Sequence, residues 1–140
     1  MVALRDKPIF LKPGHNAGDL VEAHKWTVLR EEKGVVEVDA HLPKHLLNPR
    51  DQLFGGFHGT YVDMMSIYAA RSMSSDADAF RWSTTINMRI DYFSTVERDR
   101  ILLKSEVIIN GRTTLLVSTT FSDSEGSKLA YAITTIKKEK

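Results

Sequence analysis

NPRDQLFGGFHGTYVDMMSIYAA, residues 48–70, joins a polar loop to an almost wholly apolar segment through two adjacent glycines. Within residues 59–70 the apolar side chains are Tyr61, Val62, Met64, Met65, Ile67, Tyr68, Ala69 and Ala70. They occupy nearly every side of a helix, and a helix of that kind is buried rather than laid on a surface. It is read over residues 59–73, the one long helical stretch in the body of the chain. A sheet that curls around it would cover most sides, and an oligomer would complete the cover. Asp63 is the sole charge in residues 59–70. A buried carboxylate without a partner is costly or shifts its pKa, so Asp63 is expected to be hydrogen-bonded, paired or functional. The plainer alternative is a structural aspartate, partly exposed or holding a neighbouring loop.

The flanks of this helix read as strand. Residues 26–30 and 35–41 surround a turn at Glu31-Glu32-Lys33-Gly34, and in the second run Val36, Val38 and Ala40 alternate with Val35, Glu37 and Asp39. Residues 42–53 form a loop with Pro43 and Pro49, and residues 74–79 a polar connection. Strands then cover 80–93, 101–109, 112–121 and 128–137. Asn110-Gly111 between alternating runs predicts a two-residue hairpin of type I′, whose central positions both need positive φ. Residues 122–127 make a further turn. Residues 1–24 are an arm or short helix, with Asn16 or Asp19 as the cap of a turn over residues 20–24. Two strands, one helix and four antiparallel strands make an α+β domain, one helix packed on one sheet.

The chain has 140 residues, which suits a single domain over residues 1–140, and 42% apolar residues, which suffices for its core. Net charge is +1 with the signs mixed, so no nucleic-acid footprint is present. No run approaches the length of a membrane span, and the N-terminal segment is too broken by charge and proline for a secretory signal. Cysteine is absent, which excludes disulfides and thiolate chemistry and makes a reducing cytoplasm the expected location.

Gly55-Gly56 has two readings. The glycines permit a tight turn, or they let a ligand approach the backbone N–H groups of a helix N-terminus, an arrangement suited to an oxyanion. Asn48, upstream, and Asp63, downstream, make the constellation more specific.

Asn48, five residues, Phe54-Gly55-Gly56, then Val62-Asp63 resembles the central-helix motif of hotdog-fold acyl-CoA thioesterases of the PaaI / 4-hydroxybenzoyl-CoA thioesterase type. That motif runs Asn-x5-His-Gly-Gly, followed by an aspartate on the helix. The similarity extends through Thr84-Thr85-Ile86-Asn87-Met88-Arg89-Ile90-Asp91-Tyr92-Phe93, the Asn110-Gly111-Arg112 turn, and the closing strands with Asp123 and Gly126. It implies a hotdog fold: a long central helix wrapped by five or six antiparallel strands.

The resemblance also implies roles. Asp63 matches the general base or nucleophile toward the thioester, and the Gly55 N–H the oxyanion donor. Asn48 matches the residue that orients water or supports the site, and Thr85 a hydroxyl near the reacting water. Phe54 stands where the family has histidine, and its ring cannot hydrogen-bond water or a carbonyl. His58, about one helical turn on, is the candidate substitute. Phe54, Gly56, His58, Arg89 and Arg112 are the expected substrate contacts, the arginines toward CoA phosphates. The implied reaction is hydrolysis of an acyl-CoA or acyl-carrier thioester, with no metal and no cofactor beyond the coenzyme A of the substrate. The implied assembly is a homodimer, or a dimer of dimers, with Asp63 facing Asn48 and Gly55 of the partner chain. The alternatives are a non-catalytic acyl or acyl-CoA binding protein and an enoyl-acyl hydratase.

Other candidates are weaker. His41, His45 and His58 fit no compact metal-ligand set. Ser66 lacks a Gly-x-Ser-x-Gly elbow. Asp39 and His45 have only a loose likeness to the acid and base of hotdog hydratases. Arg100 and Lys104 are further phosphate candidates, Lys104 better read as a solubility residue. Residues 137–140 read as a solvated end.

Overall fold

A computed structural model describes residues 13–74, 83–97 and 100–138. Most of the N-terminal arm, the connection at 75–79 and the first residues of the strand read over 80–93 lie outside the described residues. In chain order the elements are α1 (Asn16–Leu20), β1 (Thr27–Glu32), β2 (Val35–His41), α2 (His58–Arg71), β3 (Thr84–Tyr92), β4 (Arg100–Asn110), β5 (Thr114–Ser122) and β6 (Lys128–Lys137). The strands form one sheet in the order β1-β2-β4-β5-β6-β3, with every neighbouring pair antiparallel. β3 therefore crosses to an edge beside β6. Along β2, Val36, Val38 and Ala40 are buried while Val35, Glu37 and Asp39 are half-buried, as a period of two requires.

α2 packs its apolar sides on the sheet. Tyr61, Val62, Met65 and Ala69 share one core with Val38, Leu103, Leu115, Val117 and Ile136, and each large side chain buried this way contributes about 1.5–3 kcal/mol. Several hydroxyl groups taken into the core are paired. Ser66 Oγ donates to Thr134 Oγ1 at 3.1 Å, and the Ser105 and Thr119 hydroxyls bond at 2.6 Å. At the end of α2, Ser72 Oγ donates to the Ala69 carbonyl at 2.6 Å and accepts from the Gly34 N–H at 2.9 Å. Gly34 sits at φ 83°, where the β1–β2 turn needs glycine.

The helix is not buried on all sides. Gly59, Asp63, Ile67 and Arg71 follow at a spacing of four, so they share one face, and all remain at least partly exposed. Strands β2 to β6 pack against the other sides and leave this stripe, with Asp63 on it, alongside the edge strand β3.

Three local expectations are corrected. The first helix is Asn16–Leu20 rather than 20–24, and its cap is His15, whose Nδ1 accepts from the Gly18 N–H at 3.1 Å. Asn16 lies inside the helix, and Asp19 turns back to the Gly14 N–H. The second correction concerns Asn110-Gly111, which has positive φ at neither residue. A bulge at Ile108 shifts the β4–β5 register, Asn110 pairs with Leu115, and a longer loop results. There the Gly111 N–H donates to the Thr114 carbonyl at 2.9 Å. Lys138 is not a free tail residue: its Nζ donates to Asn110 Oδ1 and the Gly111 carbonyl, each at 2.6 Å.

Candidate active site

Main-chain bonds pin the approach to α2. The Leu53 N–H donates to the Val96 carbonyl at 2.8 Å and the Phe54 N–H to the Leu46 carbonyl at 3.0 Å. A single 3₁₀ turn, Gly55–Phe57, then leads into the helix. The first amide bonded within that turn is Phe57, to the Phe54 carbonyl at 3.0 Å. The N–H groups of Gly55 and Gly56 come before it and, among the described residues, meet no acceptor. A helix start leaves such donors unsatisfied, and the helix dipole adds partial positive charge there. Neither glycine has positive φ. A Cβ built on Gly55 would meet nothing within 4 Å, whereas one on Gly56 would come within 3.2 Å of the Phe54 ring. Nothing in the chain's own conformation or packing therefore demands glycine at 55. The bare Cα leaves open space beside two free donors.

The Gly55 carbonyl points the other way and accepts three bonds. They come from the His58 N–H, from His58 Nδ1 at 3.1 Å and from the Tyr92 hydroxyl at 2.9 Å. His58 is only 3% exposed. Its ring stacks on Phe121 with centroids 5.1 Å apart and meets the Tyr92 ring edge-on at 4.8 Å. Burial pushes its pKa below the ordinary imidazole value, against the weaker opposing pull of its bonds to the Gly55 and Phe54 main chain. The neutral ring then carries its proton on Nδ1, while the buried Nε2 has no partner. His58 was a candidate stand-in for the motif histidine, but its ring lies behind the glycine turn, away from the free N–H groups. Tyr92 was missed. Its one sequence signal is that it shares the strand parity of Met88 and Ile90.

Asp63 is exposed on the open stripe of α2, and its Oδ1 accepts the Thr85 hydroxyl proton at 2.5 Å. A bulge makes this pairing possible. The β3–β6 register slips between Thr85 and Asn87, leaving Ile86 as an extra residue. Thr85 and Met88, three residues apart, can then face the same side. Met88 lies against Gly59, and Tyr92 reaches Gly55. Contacts at 55, 59 and 63 of the helix thus run opposite to those at 92, 88 and 85 of the strand.

The structure does not gather every expected site residue. Asn48 spends its side-chain oxygen on the Arg50 and Gln52 N–H groups, at 2.9 and 3.1 Å, and so shapes the loop before Gly55. Arg89 pairs with Asp91, its partner on the alternate side of β3 from Met88 and Ile90. Arg100 pairs with Asp39, and Lys104 lies between Glu37 and Glu106. Arg112 is exposed in the β4–β5 loop, in no ion pair among the described residues. His41 meets Glu22 and His45 the Leu20 carbonyl, so the three histidines face different neighbours. Among the described residues no metal-binding cluster forms, and no helix is long and apolar enough to cross a membrane.

Eight residues separate Gly55 from Asp63, which along a helix is about 12 Å. One carbonyl group cannot touch both within a single chain.

No protein-family model matches the chain, and no curated protein sequence does. Solved structures do. Zebrafish thioesterase superfamily member 2 superposes with a TM-score of 0.75 at 26% identity, over 93% of this chain and 92% of that one. A hypothetical thioesterase protein of Streptococcus pneumoniae TIGR4, solved with coenzyme A, gives 0.73 at 22% identity, over 83% and 87%. That protein has also been solved with an aspartate, and with a threonine, changed to alanine. The protein smu.793 of Streptococcus mutans UA159, bound to acetyl-CoA, gives 0.72 at 23% identity, over 82% and 89%. One long helix on a six-stranded antiparallel sheet is thus the hotdog fold of thioesterases.

Proposed function

We propose that this protein is an acyl-CoA thioesterase. The observation that carries the reading is Asp63, the one carboxylate of α2, which faces solvent and is held by Thr85. The Asp63 carboxylate takes a proton from water as the water oxygen attacks the thioester carbonyl carbon. The resulting oxyanion is stabilised by the Gly55 N–H. When the tetrahedral intermediate collapses the C–S bond breaks, the departing CoA sulfur takes the proton held by Asp63, which returns to its carboxylate form, and the free acid is released. The roughly 12 Å between Gly55 and Asp63 favours a site completed by a second copy, its Gly55 facing the first copy's Asp63. Asn48 supports the loop that presents Gly55. Structural neighbours solved with coenzyme A and acetyl-CoA support a CoA thioester as substrate. The cytoplasm remains the proposed location.

Phe54 favours a second reading, a non-catalytic acyl-CoA binding protein. Its ring is 56% exposed beside Gly55, where a histidine could have bonded water. Thiol release from short, long and aromatic acyl-CoAs separates the two. Release supports the thioesterase, and binding without release supports the carrier. Hydration of an enoyl-CoA without thiol release would indicate a hydratase instead.

A further inference from the structure

We propose that His58 and Tyr92 are positioning residues that aim the Gly56 N–H as a second oxyanion donor beside that of Gly55. The inference rests on the thioesterase reading of the same site. In a trans peptide the N–H points opposite to the C=O of the preceding residue. The Gly55 carbonyl oxygen is held against the buried His58 ring and the Tyr92 hydroxyl. The Gly56 N–H, in the same peptide plane, is therefore turned away from them, next to the Gly55 N–H. Three donors on one carbonyl also polarise that peptide and strengthen its N–H as a donor.

Neither side chain is explained by packing alone. Tyr92 is 53% exposed, so its ring contributes little to the core, yet its hydroxyl is committed to the Gly55 carbonyl. A buried imidazole whose Nε2 has no partner is costlier than an apolar residue of similar volume. What His58 supplies in return is the Nδ1–H bond to Gly55.

The test compares Tyr92→Phe, His58→Leu and His58→Asn with the parent. Tyr92→Phe removes one oxygen and keeps the ring. It is expected to lower kcat about tenfold, less than outright loss of an oxyanion donor, with KM and Tm near the parent's. His58→Leu should lower kcat without lowering Tm, and His58→Asn, whose amide N–H reaches toward Gly55, should recover most of the rate. An unchanged kcat in Tyr92→Phe, or a loss that follows Tm, overturns the proposal. If the parent releases no thiol from any acyl-CoA, the thioesterase reading fails. The Gly56 amide proton resonance then decides the clamp by itself. An upfield move in Tyr92→Phe supports it, and an unmoved resonance overturns it.

Discussion

The Thr85 hydroxyl donates to Asp63 Oδ1 at 2.5 Å across a sequence separation of 22 residues. The bond holds one carboxylate oxygen and leaves the other for a proton from water. Asp63→Asn keeps the shape and removes the base, so turnover should fall about 10²-fold or more, with fold and acyl-CoA binding retained. Thr85→Val should cost less, because the base survives and only its orientation is lost. Steady-state thiol release measures both. Unchanged hydrolysis by well-folded Asp63→Asn would remove Asp63 from the mechanism.

Phe54 stands where the resembled thioesterase motif has histidine, and its exposed side chain makes a change to histidine easy to accommodate. Phe54→His should melt near the parent temperature and raise the rate of thiol release by restoring a hydrogen-bonding ring beside Gly55. If the rate stays the same, Phe54 belongs to a different site design, in which its ring meets the acyl group.

Gly111→Val tests the β4–β5 loop. Strain at positive φ is not the issue, because Gly111 does not adopt it. The added Cβ would lie 2.9 Å from the Thr114 carbonyl oxygen, a backbone atom that cannot step aside cheaply. Stability should drop by about 1 kcal/mol or more, which lowers Tm by about 3–5 °C. A parent-like melting curve would show that the loop opens without cost.

The buried His58 predicts a pH dependence. Its folded pKa lies below the ordinary value of about 6.5 because burial disfavours the imidazolium. Below pH about 6.5 the unfolded chain binds a proton at this residue that the folded chain does not, so stability falls as pH falls. Above that pH the contribution is fully present. His58→Leu should therefore flatten the decline of Tm between pH 7 and 5. Contributions common to both proteins cancel in the difference. A parent-minus-variant difference that stays constant over this range would exclude His58 as the source.

Assembly follows from the edge of the sheet. β3 leaves one side unpaired, and Ile86 and Phe93 on and just beyond it are 54% and 59% exposed. Such an edge invites pairing, and the open stripe of α2 lies beside it. We expect a two-fold dimer. Light scattering at micromolar concentration should give twice the chain mass, and a monomeric mass would contradict the two-chain site.

Local patterns made much of the architecture legible. The apolar run after Gly55-Gly56 is a helix, though with one open face, and the strands Val35–His41 and Lys128–Lys137 fall on the residues read as strand. The placement of Gly55 just before the helix and of Asp63 along it was legible through spacing, since residues on one segment keep their relative positions whatever surrounds them. What tertiary structure alone decided depends on contacts between distant segments. Strict alternation along β3 would turn Thr84 toward the helix with Met88 and Ile90, and only the bulge at Ile86 brings Thr85 round to Asp63. The bulge at Ile108 likewise overrode the local turn preference of Asn110-Gly111. The Tyr92 bond to Gly55 joins residues 37 apart, so nothing near either one announces it. Periodicity and spacing are properties of a segment, and a sequence carries them openly. Register and burial are set by the partner a segment meets, and that partner exists only once the chain has folded.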